Sequence, residues 1–180
     1  MAAPALRRLA WPAAAVLAAA TIAALALHGR RPEPGLARFE AAGVMLHIPS
    51  AWVREVRVTA GDRRWRFTRS GTGWTVTGPG GASADWERRL EGGLRFLQVS
   101  APQRVMARDE FAGTPAAEFG LDPPRYTVAV HTDGADPFVI EFGGANAQGL
   151  AQYARVTGRA ELILLPRFVG AEWEAAAGLR

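Results

Sequence analysis

The sequence predicts an α+β domain: antiparallel β-sheets with two packed helices and a degenerate internal repeat, preceded by an N-terminal transmembrane helix. Three observations point there. Short runs alternate apolar and polar residues, two later segments switch to helical spacing, and an uncharged N-terminal run stands apart from both.

The alternating runs come first. Val56 and Val58 share one side of a strand, and Glu55, Arg57 and Thr59 share the other. Gly61-Asp62 turns the chain. Trp65 and Phe67 then alternate with Arg64, Arg66 and Thr68. Ser70-Gly71-Thr72-Gly73 turns again into Trp74 and Val76, set between Thr75 and Thr77. Period two with one apolar side is the mark of an antiparallel meander with one wet face. Before it, Val44-Met45-Leu46-His47-Ile48 is expected as a short strand ended by Pro49. After it, Gly78-Pro79-Gly80-Gly81 stops the sheet.

Helical spacing follows. Trp86, Leu90, Leu94 and Leu97 recur on one face. Ser83 is the expected N-cap, with Asp85 and Glu87 in the first turn, where the helix dipole favours acids. Glu91 and Arg95 stand in the favourable i,i+4 order. Gly92-Gly93 costs this helix about 1 kcal/mol per glycine relative to alanine, so either close packing requires it or the helix is weak there. Val99 to Ala107 is expected to be extended, followed by turn sequence at Asp109-Glu110 and Gly113.

The second half repeats the plan. Tyr126, Val128 and Val130 alternate, and Asp133-Gly134 turns. Phe138, Ile140 and Phe142 alternate, and Gly143-Gly144 is expected to turn. Tyr153 to Val156 and Leu162 to Leu165 are further strands around Gly158. Pro166 opens a short helix with Phe168, Val169 and Trp173. Both halves read strands and then helix, a period of about 60 to 70 residues at low identity.

Between the halves lies Phe119-Gly120-Leu121-Asp122-Pro123-Pro124-Arg125-Tyr126. Gly120 accepts a positive φ. Leu121 is a lone apolar residue, expected to plug the core. Asp122 can accept from backbone amides ahead of it. Pro123 and Pro124 fix φ and push the residue before each toward extended geometry. Gly120, Leu121, Asp122, Pro123 and Pro124 are thus a structural turn rather than a chemical site.

Composition narrows the function. Cysteine is absent, which removes disulfides, thiolate zinc sites and iron–sulfur clusters. All 21 basic residues are Arg, so no lysine can act as a nucleophile. Residues 1–38 hold five Arg and one Glu (+4), residues 39–108 eleven Arg and six acids (+5), and residues 109–180 five Arg and ten acids (−5). The folded part is neutral overall, so no nucleic-acid footprint is expected.

Residues 9–27 carry no charge, with Arg7 and Arg8 before them and Arg30 and Arg31 after. About 20 apolar residues cross a bilayer as a helix. An uncleaved signal anchor is the expectation, with residues 1–8 cytoplasmic. Cleavage after Ala24-Leu25-Ala26 is the alternative. Residues 28–42, rich in Pro and Gly, read as a linker. Residues 43–180 form the extracytoplasmic domain, with lobes of about 43–108 and 109–180.

Across residues 50–178 the chain resembles the family called domain of unknown function 4340, found in bacterial envelope proteins. The matching residues are Gly73-Trp74-Thr75-Val76, Pro79, Asp85, Leu90 and Leu97. In the second half they are Phe119 to Pro124, Phe142-Gly143 and Tyr153-Ala154-Arg155. The Gly-Leu-Asp-Pro-Pro turn is the most specific of these. The resemblance implies a single-pass membrane protein with its domain outside the cytoplasm, in some members auxiliary to transporters related to gliding-motility exporters. It carries no catalytic residues. This chain is shorter than many such proteins, which hold more copies of the unit.

No residue pattern demands chemistry. His28, His47 and His131 do not stand at metal-ligand spacing, and His131 falls on a polar strand face. Asp133 with Asp136, and Asp109 with Glu110, lie in turns. Gly71-Thr72-Gly73 does not open a helix, so it lacks the geometry of a phosphate cradle. Arg64 and Arg66 face away from Trp65 and Phe67, which makes the arginines a wet face that can meet anionic lipid. By pattern Trp52, Trp65, Trp74, Trp86 and Trp173 are mostly core. No catalytic, cofactor-binding or metal-binding residue is expected. The expected function is a non-enzymatic accessory or interaction module at the outer face of the bacterial inner membrane, with an envelope protein partner, a transporter among the candidates. A periplasmic domain binding a small ligand or glycan, released by signal-peptide cleavage, is the alternative.

Overall fold

The computed structural model describes residues 16–25, 43–80 and 84–179. Residues 1–40 and 41–180 are two separate units. In the first, residues 16–25 are helical. Thr21 Oγ1 donates to the Leu17 carbonyl at 2.8 Å, and Val16, Leu17, Ile22 and Leu25 are exposed. The expected span 9–27 runs past these residues at both ends, outside what is described. No described helix is long and apolar enough to cross a membrane. The linker 28–42 and the Ser83 cap also fall outside the described residues, apart from the linker's boundary at Gly43.

The second unit is α+β. Its strands are β1 (Val53–Ala60), β2 (Arg63–Ser70), β3 (Gly73–Thr77), β4 (Arg104–Met106), β5 (Tyr126–Thr132), β6 (Phe138–Ala145), β7 (Ala151–Val156) and β8 (Leu162–Pro166). Its helices are α1 (Trp86–Val99) and α2 (Arg167–Ala176). The strands form one sheet of eight in the order β3-β2-β1-β5-β6-β7-β8-β4, where the sequence predicts separate sheets. β1 and β5 pair antiparallel, with Val56 opposite Val130 and Val58 opposite Val128. An unpaired strand edge is a row of unsatisfied amides and carbonyls. Joining the two halves at these strands removes two such edges.

Alternation sends one set of side chains to the helices. Val56, Phe67, Val130 and Val58, Trp65, Val128, Ile140 lie in cross-strand rows on this face, and each is at most 2 % exposed. Leu90, Leu94 and Leu97 of α1, with Val169 and Trp173 of α2, cap them and are fully buried. The helices meet at Gly93, where a Cβ would stand 2.7 Å from the Trp173 ring. Gly93 is therefore the packing glycine of the pair. At Gly92 the nearest contact would be an ordinary 3.4 Å to the Glu172 carboxylate.

A buried polar network ties α2 to the sheet. Tyr126 Oη donates to the Gly170 carbonyl at 3.0 Å. Gln152 Nε2 donates to the Gly143 carbonyl at 2.9 Å. Arg167 donates to Gln152 Oε1 at 3.2 Å and to both Glu174 oxygens at 2.7 and 2.8 Å. Burial pushes the Tyr126 phenol far above its ordinary range, so it stays protonated and keeps its role as donor.

Three local expectations are corrected. Val44 to Ile48 is a turn, not a strand. The Gly43 and Met45 amides donate to the Gln98 and Leu97 carbonyls at 3.0 and 2.9 Å, which satisfies carbonyls left free at the C-terminus of α1. Val99 to Ala107 is extended only at Arg104–Met106. Gly143-Gly144 is not a turn either: β6 runs through both, with its register against β7 shifting between Phe142 and Ala145. The reversal comes at Asn146–Gly149, where the Gly149 amide donates to the Asn146 carbonyl at 2.9 Å and Asn146 Oδ1 accepts from the Leu150 amide at 3.0 Å.

The irregular stretch in β6 seats the Gly-Leu-Asp-Pro-Pro turn. Gly120 adopts φ 67°, and a Cβ there would stand 2.7 Å from the Gly144 nitrogen. Leu121 is 3 % exposed and would stand 3.0 Å from a Cβ at Gly143. It packs with Met106 and Leu162 in a second, smaller core on the sheet face away from the helices. Asp122 and Pro123 are exposed and Pro124 is half-buried. The Asp122–Pro123 peptide is cis.

Candidate functional site: an uncovered sheet face

The face turned from the helices has two parts. Over β7, β8 and β4 it is covered by short 3₁₀ turns at Arg108–Phe111 and Ala116–Phe119. Phe119 lies edge-on to Phe111 and Tyr153, with ring centroids 6.2 and 5.0 Å apart. Over β3, β2, β1 and β5 no described residue covers it.

Register builds this open surface in cross-strand rows. Thr77, Arg66, Arg57 and Ala129 form one row. Thr75, Thr68, Glu55 and His131 form the next. Arg64, Thr59, Thr127, Glu141 and Arg155 form a third, which reaches the covered half. Arg57, Arg64, Arg66, Thr68, Thr75 and Thr77 are exposed. Glu55 is paired with Arg57 and lies 3.8 Å from Arg66, so one carboxylate serves two guanidinium groups. Arg64 has no ion pair among the described residues. The surface is a basic, hydroxyl-rich face of four strands.

The other arginines of β2 are held differently. Arg63 lies 5.3 Å from the Trp65 ring centroid. Arg69 stacks 4.3 Å over Trp74 and donates to the carbonyls of Val53 and Ser50 at 3.0 and 3.1 Å. Glu91 accepts from Trp74 Nε1 at 2.6 Å and from Arg69 at 3.4 Å. The expected Glu91–Arg95 pair is replaced by this contact, which pins β3 under α1. Arg95 lies 5.6 Å from the Phe96 ring centroid instead.

His131 sits at the edge of the open plane, and its Nε2 is buried without a partner among the described residues. Partial burial, and then the Arg57 charge, hold its imidazole below the ordinary histidine range; Glu55 opposes and Arg66 adds to the lowering. The unfolded chain takes up this proton near pH ~6.5, and the folded chain only at lower pH. Between those values the unfolded state binds more protons, so this group makes stability rise with pH. His131→Gln should therefore lose less stability than the parent chain when melting is followed from pH 7 down to pH 5. Parallel curves for the two proteins would refute the assignment.

The remaining candidate residues do not converge. Asp133 is 74 % exposed and pairs with Arg54 at 2.7 Å. Glu110 accepts from the Ala107 amide at 2.8 Å and from Arg104 at 2.6 Å, contacts that hold its carboxyl below the usual range. Among the described residues no group of three or more His, Asp or Glu side chains is placed to hold a metal ion. Trp65, Trp74 and Trp173 are buried, whereas Trp52 is 62 % exposed. Comparison with family models, curated proteins and solved structures finds no match in any of the three.

Proposed function

We propose that the chain is a membrane-anchored interaction module at the outer face of a bacterial inner membrane, which docks an envelope protein, a transporter among the candidates, on its uncovered sheet face. The observation that carries this reading is the four-strand plane bearing Arg57, Arg64 and Arg66, with a single carboxylate, Glu55, paired among them. An antiparallel sheet tolerates one wet face. A broad plane of like charge also speeds encounter with an acidic partner. The uncharged run at residues 9–27 followed by a Pro- and Gly-rich linker supports the anchored placement, as does the resemblance to the envelope family of domain of unknown function 4340. The sheet order supports a duplicated unit: β3-β2-β1 mirrors β5-β6-β7, and in each half a helix, α1 or α2, follows the meander, although β4 of the first half pairs with β8 of the second. Glycan binding asks for an accessible aromatic platform; among the described tryptophans only Trp52 is exposed, while Trp65, Trp74 and Trp173 lie in the core.

The test is a tagged pull-down from gently solubilised membranes, with the intact mass read from the same sample. The full-length chain should bring an envelope protein with it. Reversing charge at Arg57, Arg64 and Arg66 together should slow association at least ~10-fold. Arg88→Glu, at an exposed site on α1, should leave it unchanged. A shortened chain recovered alone, or full binding by the triple variant, would refute the proposal.

A further inference from the structure

The covered half of the same face holds a cavity of about 270 Å³ beneath the two 3₁₀ turns. Its apolar wall is made by Phe111, Phe119, Leu121 and Leu162. Arg108, Arg155 and Arg159 also line it, and no acidic residue does. Arg155 is shared with Glu141, to which it donates at 2.7 and 2.8 Å. The Arg159 side chain donates only a long 3.4 Å bond, to the Val44 carbonyl. Arg108 makes no hydrogen bond or ion pair among the described residues. Two arginines with most of their side-chain donors unspent thus line an apolar cavity.

We infer that this cavity binds a small carboxylate with an apolar body, the carboxylate held by Arg108 and Arg159 and the body laid against Phe111, Phe119 and Leu121. Guanidinium groups suit carboxylates because their planar donors match both oxygens. Concave sites with apolar walls and a few convergent polar groups are the usual form of a small-molecule site. The volume sets the size. Liquid water occupies about 30 Å³ per molecule, so the cavity holds on the order of ten non-hydrogen atoms. A phenylpropanoate or a medium-chain acid is of that size. The groups that would hold the ligand, Arg108, Arg159, Phe111, Phe119 and Leu121, lie outside the docking plane, and only Arg155, at the end of its third row, borders both.

Binding is read by fluorine NMR on the full chain with 3-(4-fluorophenyl)propanoate, using the corresponding alcohol as the uncharged control. The acid should bind saturably, and the alcohol at least ~10-fold more weakly. Arg108→Ala and Arg159→Ala, both at exposed positions, should each weaken the acid about tenfold, the scale of one charge-assisted hydrogen bond. Arg88→Ala should not. Equal binding of acid and alcohol would overturn the inference. So would no saturation up to millimolar acid, or indifference to both cavity arginines. Membrane pull-down is not involved, so failure here leaves the docking reading standing, and the reverse.

Discussion

Gly143→Ala is expected to destabilise the folded unit by about 2–3 kcal/mol, while the same change at its neighbour Gly144 costs under ~1 kcal/mol. At Gly143 the new methyl would overlap the Phe119 carbonyl and stand 3.0 Å from the Leu121 side chain. The carbonyl is backbone, fixed by the turn that follows it, and Leu121 is buried. Neither can swing aside as an exposed side chain would. At Gly144 the nearest atom is the Phe119 oxygen at an ordinary 3.6 Å. For a domain of this size about 1 kcal/mol moves the melting point by roughly 3–4 °C. The two variants should therefore differ by some 5–10 °C in a thermal melt. Equal melting points would mean that the turn is not seated on β6 as described.

Trp173→Ala is expected to cost about 3–5 kcal/mol, the range for removing a large buried aromatic. Trp173 is fully buried and is the side chain on which α1 and α2 meet. Its removal should also reverse the effect of a change on the facing helix. With Trp173 present, Gly93→Ala forces a methyl to 2.7 Å from the indole ring and destabilises. Without it, the methyl enters empty space and contributes its helix propensity, about 1 kcal/mol in favour of alanine. A double-mutant cycle reads this directly. Additive effects would sink the packing assignment. Gly92→Ala, facing the movable Glu172 carboxylate, should be neutral or stabilising in both backgrounds.

These two glycine pairs show what the sequence could and could not convey. Alternation located β1, β2, β3, β5 and β6 from side chains alone, because there the helix face is apolar and the opposite face mostly polar; β7 and β8 stand out only as further strands around Gly158. Helical spacing located α1 and α2 for the same reason. Within Gly92-Gly93 and Gly143-Gly144, however, both residues look alike in sequence. Only the atoms opposite them, 80 positions away in one case and 22 to 25 in the other, separate the necessary glycine from the tolerated one. The network of Tyr126, Gln152, Arg167 and Glu174 was hidden because its partners come from two strands and a helix, and a lone Gln in a strand carries no pattern. The open basic plane was half visible. Arg64 and Arg66 stood on the wet face in the sequence, but which half of that face is covered depends on residues 108–121, which have no period. The cavity arginines were invisible for the same reason.

The seam between β1 and β5 has a consequence for synthesis. Val56 and Val130, which face each other across it, are 74 positions apart (130 less 56). A ribosome adds about 5–20 residues per second, so β1 waits roughly 4–15 s for its second neighbour. During that interval β2 and β3 can form a meander with β1, but the inner edge of β1 stays open and its valines lack half their cover. Such an edge is a template for pairing with another chain. The first half of this protein is thus a nascent strand template, and its exposure ends only when the second half arrives to close it.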